Sequence, residues 1–249
     1  MASARHGLTA AYLVFGPVDV KNIGREGLLV WLTSAVVGVA VGFRFGVPAL
    51  TVVLDAQFGF DLTPYYDLIM SGYVGTAAGI AGMVVGFLLL DERDENTLAA
   101  LLVTPLPIGT YFAYRITLPL VLGFVVTCAT YPLIGLAPIS AVDLIVVAGL
   151  AAFGGPTVAL FLAVFAENKI TGLALTKVFN TINFIPVLAY FVSSDWQLLA
   201  GVVPGYWPMK VVWLAVAGES YVWQAVVGVV VNVAAVWLLL RRFKTILHR

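Results

Sequence analysis

The sequence predicts an all-α integral membrane protein with six transmembrane helices, and composition, segment length and the placement of basic residues are what predict it. Of 249 residues, 61% are hydrophobic and 10% are charged. A soluble domain carries roughly 25% charged and about 45–50% apolar residues, so the excess apolar surface here requires lipid. Thirteen basic and thirteen acidic side chains cancel to a formal net charge of zero, which argues against a nucleic-acid partner, since that would need a basic stripe. The single cysteine, Cys128, sits in an apolar run and excludes an internal disulfide or a cysteine-rich metal site.

The chain begins with a polar stretch reaching Glu26, and the apolar run after it is too long for the core of a cleavable signal. Gly16-Pro17 is expected to break the chain, leaving residues 1–27 as a cytoplasmic tail with a short interfacial helix. A solvated tail is the alternative. A rise of about 1.5 Å per residue across roughly 30 Å of hydrocarbon calls for about 20 apolar residues per crossing. Six segments qualify, at approximately 28–50, 68–90, 111–136, 144–166, 176–192 and 221–240. No linker or repeat divides them, so the whole of 1–249 reads as one membrane domain.

Gly38, Gly42 and Gly46 recur every four positions in the first crossing, and Gly75, Gly79, Gly82 and Gly86 do the same in two pairs in the second. Such faces let helices approach closely, within one subunit or across a dimer. Arg44 falls far enough into the first crossing to snorkel to the outer headgroups; its functional alternative is a place at the outer mouth of a pathway near Asp55 or Asp61. Gly154-Gly155-Pro156 predicts a kink in the fourth crossing. Asn183 and Pro186 in the fifth, and Asn232 in the sixth, either line a cavity or hydrogen-bond between helices.

The segment 196–219 is apolar and long enough for a seventh crossing, but parity argues against it. Six crossings hold both termini in the cytoplasm, with Arg5, Lys21, Arg25, Arg241, Arg242, Lys244 and Arg249 inside, as the positive-inside rule requires. Pro204-Gly205, Trp207-Pro208 and Lys210 would also break a spanning helix near its middle. The segment therefore reads as a re-entrant hairpin on the outer face, or else as an interfacial helix with Trp207 and Trp213 in the aromatic belt. In this topology Asp55, Asp61, Asp67, Asp143, Asp195 and Glu219 face outward against Arg44 and Lys210 alone. The zero net charge is a cancellation between a positive inner side and a negative outer one.

The most polar stretch, residues 91–109, opens DERDENTLAALLVTPLP. Asp91, Glu92, Asp94 and Glu95 crowd where a helix would begin, favoured by the positive end of its dipole. Leu98, Leu101 and Leu102 form one stripe, and Pro105 and Pro107 stop it. A short amphipathic helix parallel to the membrane results; the alternative is a charged loop that enforces topology. In Glu92-Arg93, Thr97-Leu98, Leu101-Leu102 and Thr104-Pro105-Leu106 the chain resembles the ABC-2 type permeases, the membrane subunits of ATP-binding cassette exporters. The Asp-Glu-Arg-Asp-Glu opening looks especially like short bacterial permeases of the fluoroquinolone-exporter kind. Asn96 stands at the family's usual glycine, and Ala99 or Ala100 where a second glutamate is common.

That resemblance implies a coupling helix, carried by Glu92, Arg93, Asp94, Glu95, Thr97, Leu98, Leu101, Leu102, Thr104 and Pro105, docked in a groove of a separate ABC ATPase subunit. The sequence holds no Gly-x-x-x-x-Gly-Lys-Ser/Thr loop, so ATP and Mg are expected on the partner and no cofactor or enzymatic site on this chain. The loop from Glu167 to Lys177 is a candidate second contact, or a solvated turn. The resemblance further implies a second permease copy or paralogue, with Gly42, Asn183 and Phe184 facing substrate in the cleft between them. His6 and His248 lie in the two tails, far from any other metal ligand. No crossing has a carboxylate in its middle, which makes an ion-coupled carrier the weaker reading; an ATP-independent membrane scaffold is the other alternative. The expected cargo is an amphipathic or hydrophobic small molecule, exported through the cell membrane.

Overall fold

The computed structural model describes residues 2–94, 108–192 and 195–247. Nine α-helices are present among them: α1 (Ala2–Arg25), α2 (Gly27–Phe58), α3 (Tyr66–Asp94), α4 (Ile108–Ile134), α5 (Ala141–Ala152), α6 (Gly154–Phe165), α7 (Lys169–Ala189), α8 (Tyr206–Ala217) and α9 (Val222–Leu247). Two 3-10 turns, Thr63–Tyr65 and Asp195–Val202, complete the order, and no strand occurs among the described residues. Six stretches are long and apolar enough to cross a membrane: α2, α3, α4, α5 with α6, α7 and α9. These are the six crossings the sequence predicts.

Local chemistry sets the helix ends. α2 runs two turns beyond the expected end near residue 50 and stops where Gly59 adopts a left-handed φ of 63°. There the Gly59 N–H donates to the Asp55 carbonyl at 2.9 Å and Phe60 N–H to Leu54 at 3.3 Å, a double closure that suits glycine. α5 begins on a capping box, Ser140 accepting from the Asp143 N–H while the Asp143 carboxylate accepts from Ser140 N–H. The Asp143 carboxylate also accepts from the Tyr221 hydroxyl, which ties the start of α5 to the start of α9. The expected kink is the break at Phe153 between α5 and α6. α7 starts on Asn168, whose side chain accepts from the Thr171 N–H at 3.0 Å.

α1 corrects one expectation. It continues without interruption through Gly16 and Pro17 to Arg25. Pro17 removes one backbone donor and normally kinks a helix, but α1 is held on both sides of it. Phe15 packs on the rings of Tyr111 and Tyr114, and Asp19, only 4% exposed, is bound to Arg115. Tertiary contacts on α4 thus override the local break.

α3 is the central post. Its Met70, Val74, Ala77, Ala78, Val85, Phe87 and Leu90 are buried, and α2, α4, α6, α7 and α8 all pack against it. The tightest crossing joins α3, α4 and α6. A methyl placed on Gly82 would overlap the Gly155 carbonyl, and one on Gly155 would overlap the Pro119 carbonyl. Backbones meet directly there, as small residues permit between membrane helices.

The segment between α7 and α9 folds as a helical hairpin. Its 3-10 arm and α8 are tied by Trp207 Nε1 donating to Gly201 O at 2.9 Å and by Lys210 Nζ donating to Gln197 Oε1 at 2.9 Å. Trp213 Nε1 donates to Ser71 Oγ of α3 at 2.7 Å. Trp207 and Trp213 are buried in the bundle.

Candidate functional site

The foot of α3, where the chain enters the polar stretch of the sequence, gathers most of the buried charge. Consecutive helical positions point about 100° apart, at 3.6 residues per turn, so Asp91, Glu92 and Arg93 reach three different neighbours. Asp91 pairs with Lys169 of α7 at 2.8 Å. Glu92 pairs with Arg115 and accepts from the Tyr111 hydroxyl, both on α4. Arg93 Nη2 donates to the Ala166 carbonyl at 2.7 Å and the Glu167 carbonyl at 2.6 Å, at the joint between α6 and α7.

On α4, Tyr111, Tyr114 and Arg115 stand at i, i+3 and i+4 and share one face. Arg115 is 2% exposed. Its guanidinium forks onto Asp19 of α1, Nη1 to Oδ2 at 2.7 Å and Nη2 to Oδ1 at 3.3 Å. The Tyr114 hydroxyl donates to the same carboxylate at 2.6 Å. Both tyrosine rings lie beneath the guanidinium carbon, at 5.5 and 5.4 Å. A planar fork with aromatic support is the arrangement in which arginine surpasses lysine. Asp19 and Glu92 are thereby both matched, and α1, α3 and α4 meet at one cation.

Lys169 extends the cluster. A cation at the first residue of α7 opposes that helix's dipole, and Glu26, at the start of α2, together with Asp91 offsets it. Beside it lies a polar hollow of about 280 Å³ walled by Asn22, Arg25, Glu26, Asp91, Glu92 and Lys169. At this same end, Arg241 stacks on Trp237 at 3.5 Å and Arg242 lies over Phe165 at 5.2 Å. At the opposite end Asp61 is held below the usual carboxylate range by the Thr63 side chain and N–H.

Of the residues expected in the coupling helix, Glu92 and Arg93 thus sit in the clamp. The side chain of Asp94 and all of Glu95, Thr97, Leu98, Leu101, Leu102, Thr104 and Pro105 lie outside the described residues. Asp19, Tyr111, Tyr114 and Arg115 are not among the residues that the sequence pattern singles out. The available signal was the rarity of ionisable groups in apolar segments, which obliges Arg115 to have a partner.

The expected pathway residues divide. Arg44 pairs with neither Asp55 nor Asp61; its Nη1 donates to the Leu133 carbonyl at 2.5 Å in the last turn of α4, where a cation complements the helix dipole. Gly42 faces open space on the outward side of α2, where a methyl would touch nothing within 4 Å. Asn183 and Phe184 line a hollow of about 380 Å³ with Phe43, Tyr73, Thr76 and Asn180. Asn183 and Asn232 together line a second, of about 270 Å³, beneath the hairpin turn. No group of three or more His, Cys, Asp or Glu positioned for a metal ion occurs among the described residues.

Six apolar spans, a helix end clamped by charge and, between the spans, two hollows without charged walls are the features of a multi-pass membrane protein. The family described as fluoroquinolones export permease protein Rv2686c-like matches residues 19–240, and the chain belongs to it. It is 36% identical over 237 residues to the fluoroquinolones export permease proteins of two Mycobacterium tuberculosis strains, CDC 1551 / Oshkosh and ATCC 25618 / H37Rv, covering 94% of each chain. No solved structure matches. The protein is accordingly a multi-pass cell-membrane protein of an export permease family.

Proposed function

We propose that the chain is the permease subunit of an ATP-driven exporter of the ABC-2 type, moving an amphipathic or hydrophobic drug-like molecule out through the cytoplasmic membrane. Two separate ATPase subunits supply ATP and Mg, and a second permease copy or paralogue completes the cleft. Both termini and the 91–109 loop lie in the cytoplasm, the hairpin enters from the outer face, and the loop is the coupling helix. The positive end formed by Arg93, Lys169, Arg241 and Arg242, opposite Asp55, Asp61 and Asp143, supports this orientation. The printed names of the relatives support a fluoroquinolone-like cargo.

The observation that carries the proposal is the divergence of Asp91, Glu92 and Arg93 onto α7, α4 and the α6–α7 joint. A push on the loop is delivered at once to the helices on three sides, with α1 joined through Asp19. Rigid elements with matched charges transmit displacement rather than absorb it.

One observation favours the ion-coupled alternative, namely the buried carboxylate of Asp19 and the half-buried one of Glu92. Both, however, are matched by Arg115 and tyrosine hydroxyls, and both lie at one end of the bundle, whereas a proton carrier wants a carboxylate in mid-membrane. Cells expressing the chain with its ATPase should lose efflux of a fluorescent fluoroquinolone on ATP depletion and retain it under a protonophore. The reverse pattern would exclude the ATP-driven reading.

A further inference from the structure

The chain turns from the 3-10 arm into α8 at Pro204-Gly205, inside the helical bundle. Non-helical backbone among membrane helices needs partners from the protein itself. Two asparagines from the flanking spans attend this turn. Asn232 of α9 donates from Nδ2 to the Pro204 carbonyl at 3.3 Å and to the Gly228 carbonyl at 2.8 Å. Asn183 of α7 donates to the Phe179 carbonyl at 3.0 Å and lies so close to Gly205 that a methyl there would overlap its Oδ1. All three bonds spend amide N–H groups, and neither Oδ1 receives a donor among the described residues.

Both asparagines border the cavity of about 270 Å³ under the turn. Gly75, Gly79 and Gly154 leave one wall without side chains, and the rings of Phe161 and Phe179, 5.4 Å apart, close another part of it. The hollow of about 380 Å³ that holds Phe43 and Phe184 shares Gly75 and Asn183 with this cavity. Met209 lies at that boundary with its Cε against Gly75. Methionine is unbranched and readily repacked. No charged side chain lines either hollow, and the larger, at about 380 Å³, falls in the range of small-molecule sites, roughly 300–1,000 Å³.

We propose that the two hollows form one binding site within a single subunit for a flat aromatic molecule without net charge that carries an N–H or O–H donor. Asn183 and Asn232 accept its hydrogen bonds, and Met209 is the movable partition between the open and enclosed parts. The assignment rests on the exporter reading in taking the exported compound as the occupant. A lipid acyl chain fills the same volume but leaves both amide oxygens unpaired in an apolar setting, which disfavours it.

The test uses the purified full chain in lipid nanodiscs, binding measured with the fluorescent fluoroquinolone of the efflux assay and, separately, with a pyrene-labelled phospholipid. Asn183→Leu keeps the volume and removes the acceptor; binding of the fluoroquinolone should weaken at least tenfold. Ile182→Trp fills the cavity from a partly exposed position with little packing to disturb, and should abolish binding while the melting temperature stays within a few degrees. Phe45→Trp, on the outward face of α2, should bind as wild type. Wild-type efflux and binding with unchanged affinity in both Asn183→Leu and Ile182→Trp would overturn the intrasubunit site and leave the exporter reading standing. Loss of pyrene-lipid binding instead of fluoroquinolone binding in Ile182→Trp would overturn it in favour of a lipid. Absence of both efflux and binding in the wild type would overturn site and exporter reading together.

Discussion

α2 and α3 follow one another in the chain, have the same mean hydropathy of 1.9 over their most apolar stretches, and both carry glycines at four-residue spacing. Their fates differ completely. Gly75, Gly82 and Gly86 of α3 are pressed against Met209, Gly155 and Leu162, whereas Gly38, Gly42 and Gly46 of α2 meet nothing. α3 is the buried post of the subunit, and α2 leaves Val37, Val41, Phe45 and Val52 exposed. Small-residue spacing therefore states that a helix offers a close approach, and says nothing of whether the visitor is the same chain, another copy or lipid. The contrast extends to the ends. α3 finishes in a three-way clamp of charge, while α2 ends outward on a glycine.

Substitutions rank themselves along this contrast. Arg115→Ala strips the clamp of its cation and leaves Asp19 buried, and Glu92 half-buried, without it, a loss of about 3–5 kcal/mol; the expected result is little folded protein by fluorescence-detected size exclusion. Partial rescue by Asp19→Asn in the same chain would identify the unmatched carboxylate as the cause. Gly82→Ala forces α3 away from α6 and should cost about 1–3 kcal/mol, read as a lowered melting temperature in detergent. Arg44→Met removes the cation from the last turn of α4 and should cost about 0.3–1 kcal/mol. Gly42→Leu, on the open face of α2, should leave the melting temperature of the chain unchanged, within about 0.5 kcal/mol. A large loss in Gly42→Leu, or none in Gly82→Ala, would reverse the roles assigned to the two helices.

Much of this architecture is legible in the residues themselves. Length and apolarity delimit the six crossings, Gly154-Gly155-Pro156 marks the break at Phe153, and Pro204-Gly205 with Trp207-Pro208 marks the hairpin. These are local signals, written within one turn of where they act. The clamp is not local. Asp19 and Arg115 are 96 positions apart, and nothing near Asp19 distinguishes it from a solvated acid of the tail. Pro17 misleads for the same reason, because its local effect is overruled by Phe15 and Asp19 bound to α4. The meeting of Asn183 and Asn232 about one turn likewise depends on how α7 and α9 pack, although each was singled out alone as a polar group in an apolar span. Burial of α3 against exposure of α2 is invisible to any property the two segments share.

Under the proposed function, the foot of α3 converts movement of the 91–109 segment into movement of the bundle. Glu92→Gln tests it most directly, since Arg115 keeps Asp19 as a partner and the fold should survive. The measurement is fluoroquinolone transported per ATP hydrolysed, in vesicles holding the chain with its ATPase. The expected result is retained ATPase binding and hydrolysis with transport reduced at least tenfold. An unchanged ratio of transport to hydrolysis would contradict the claim.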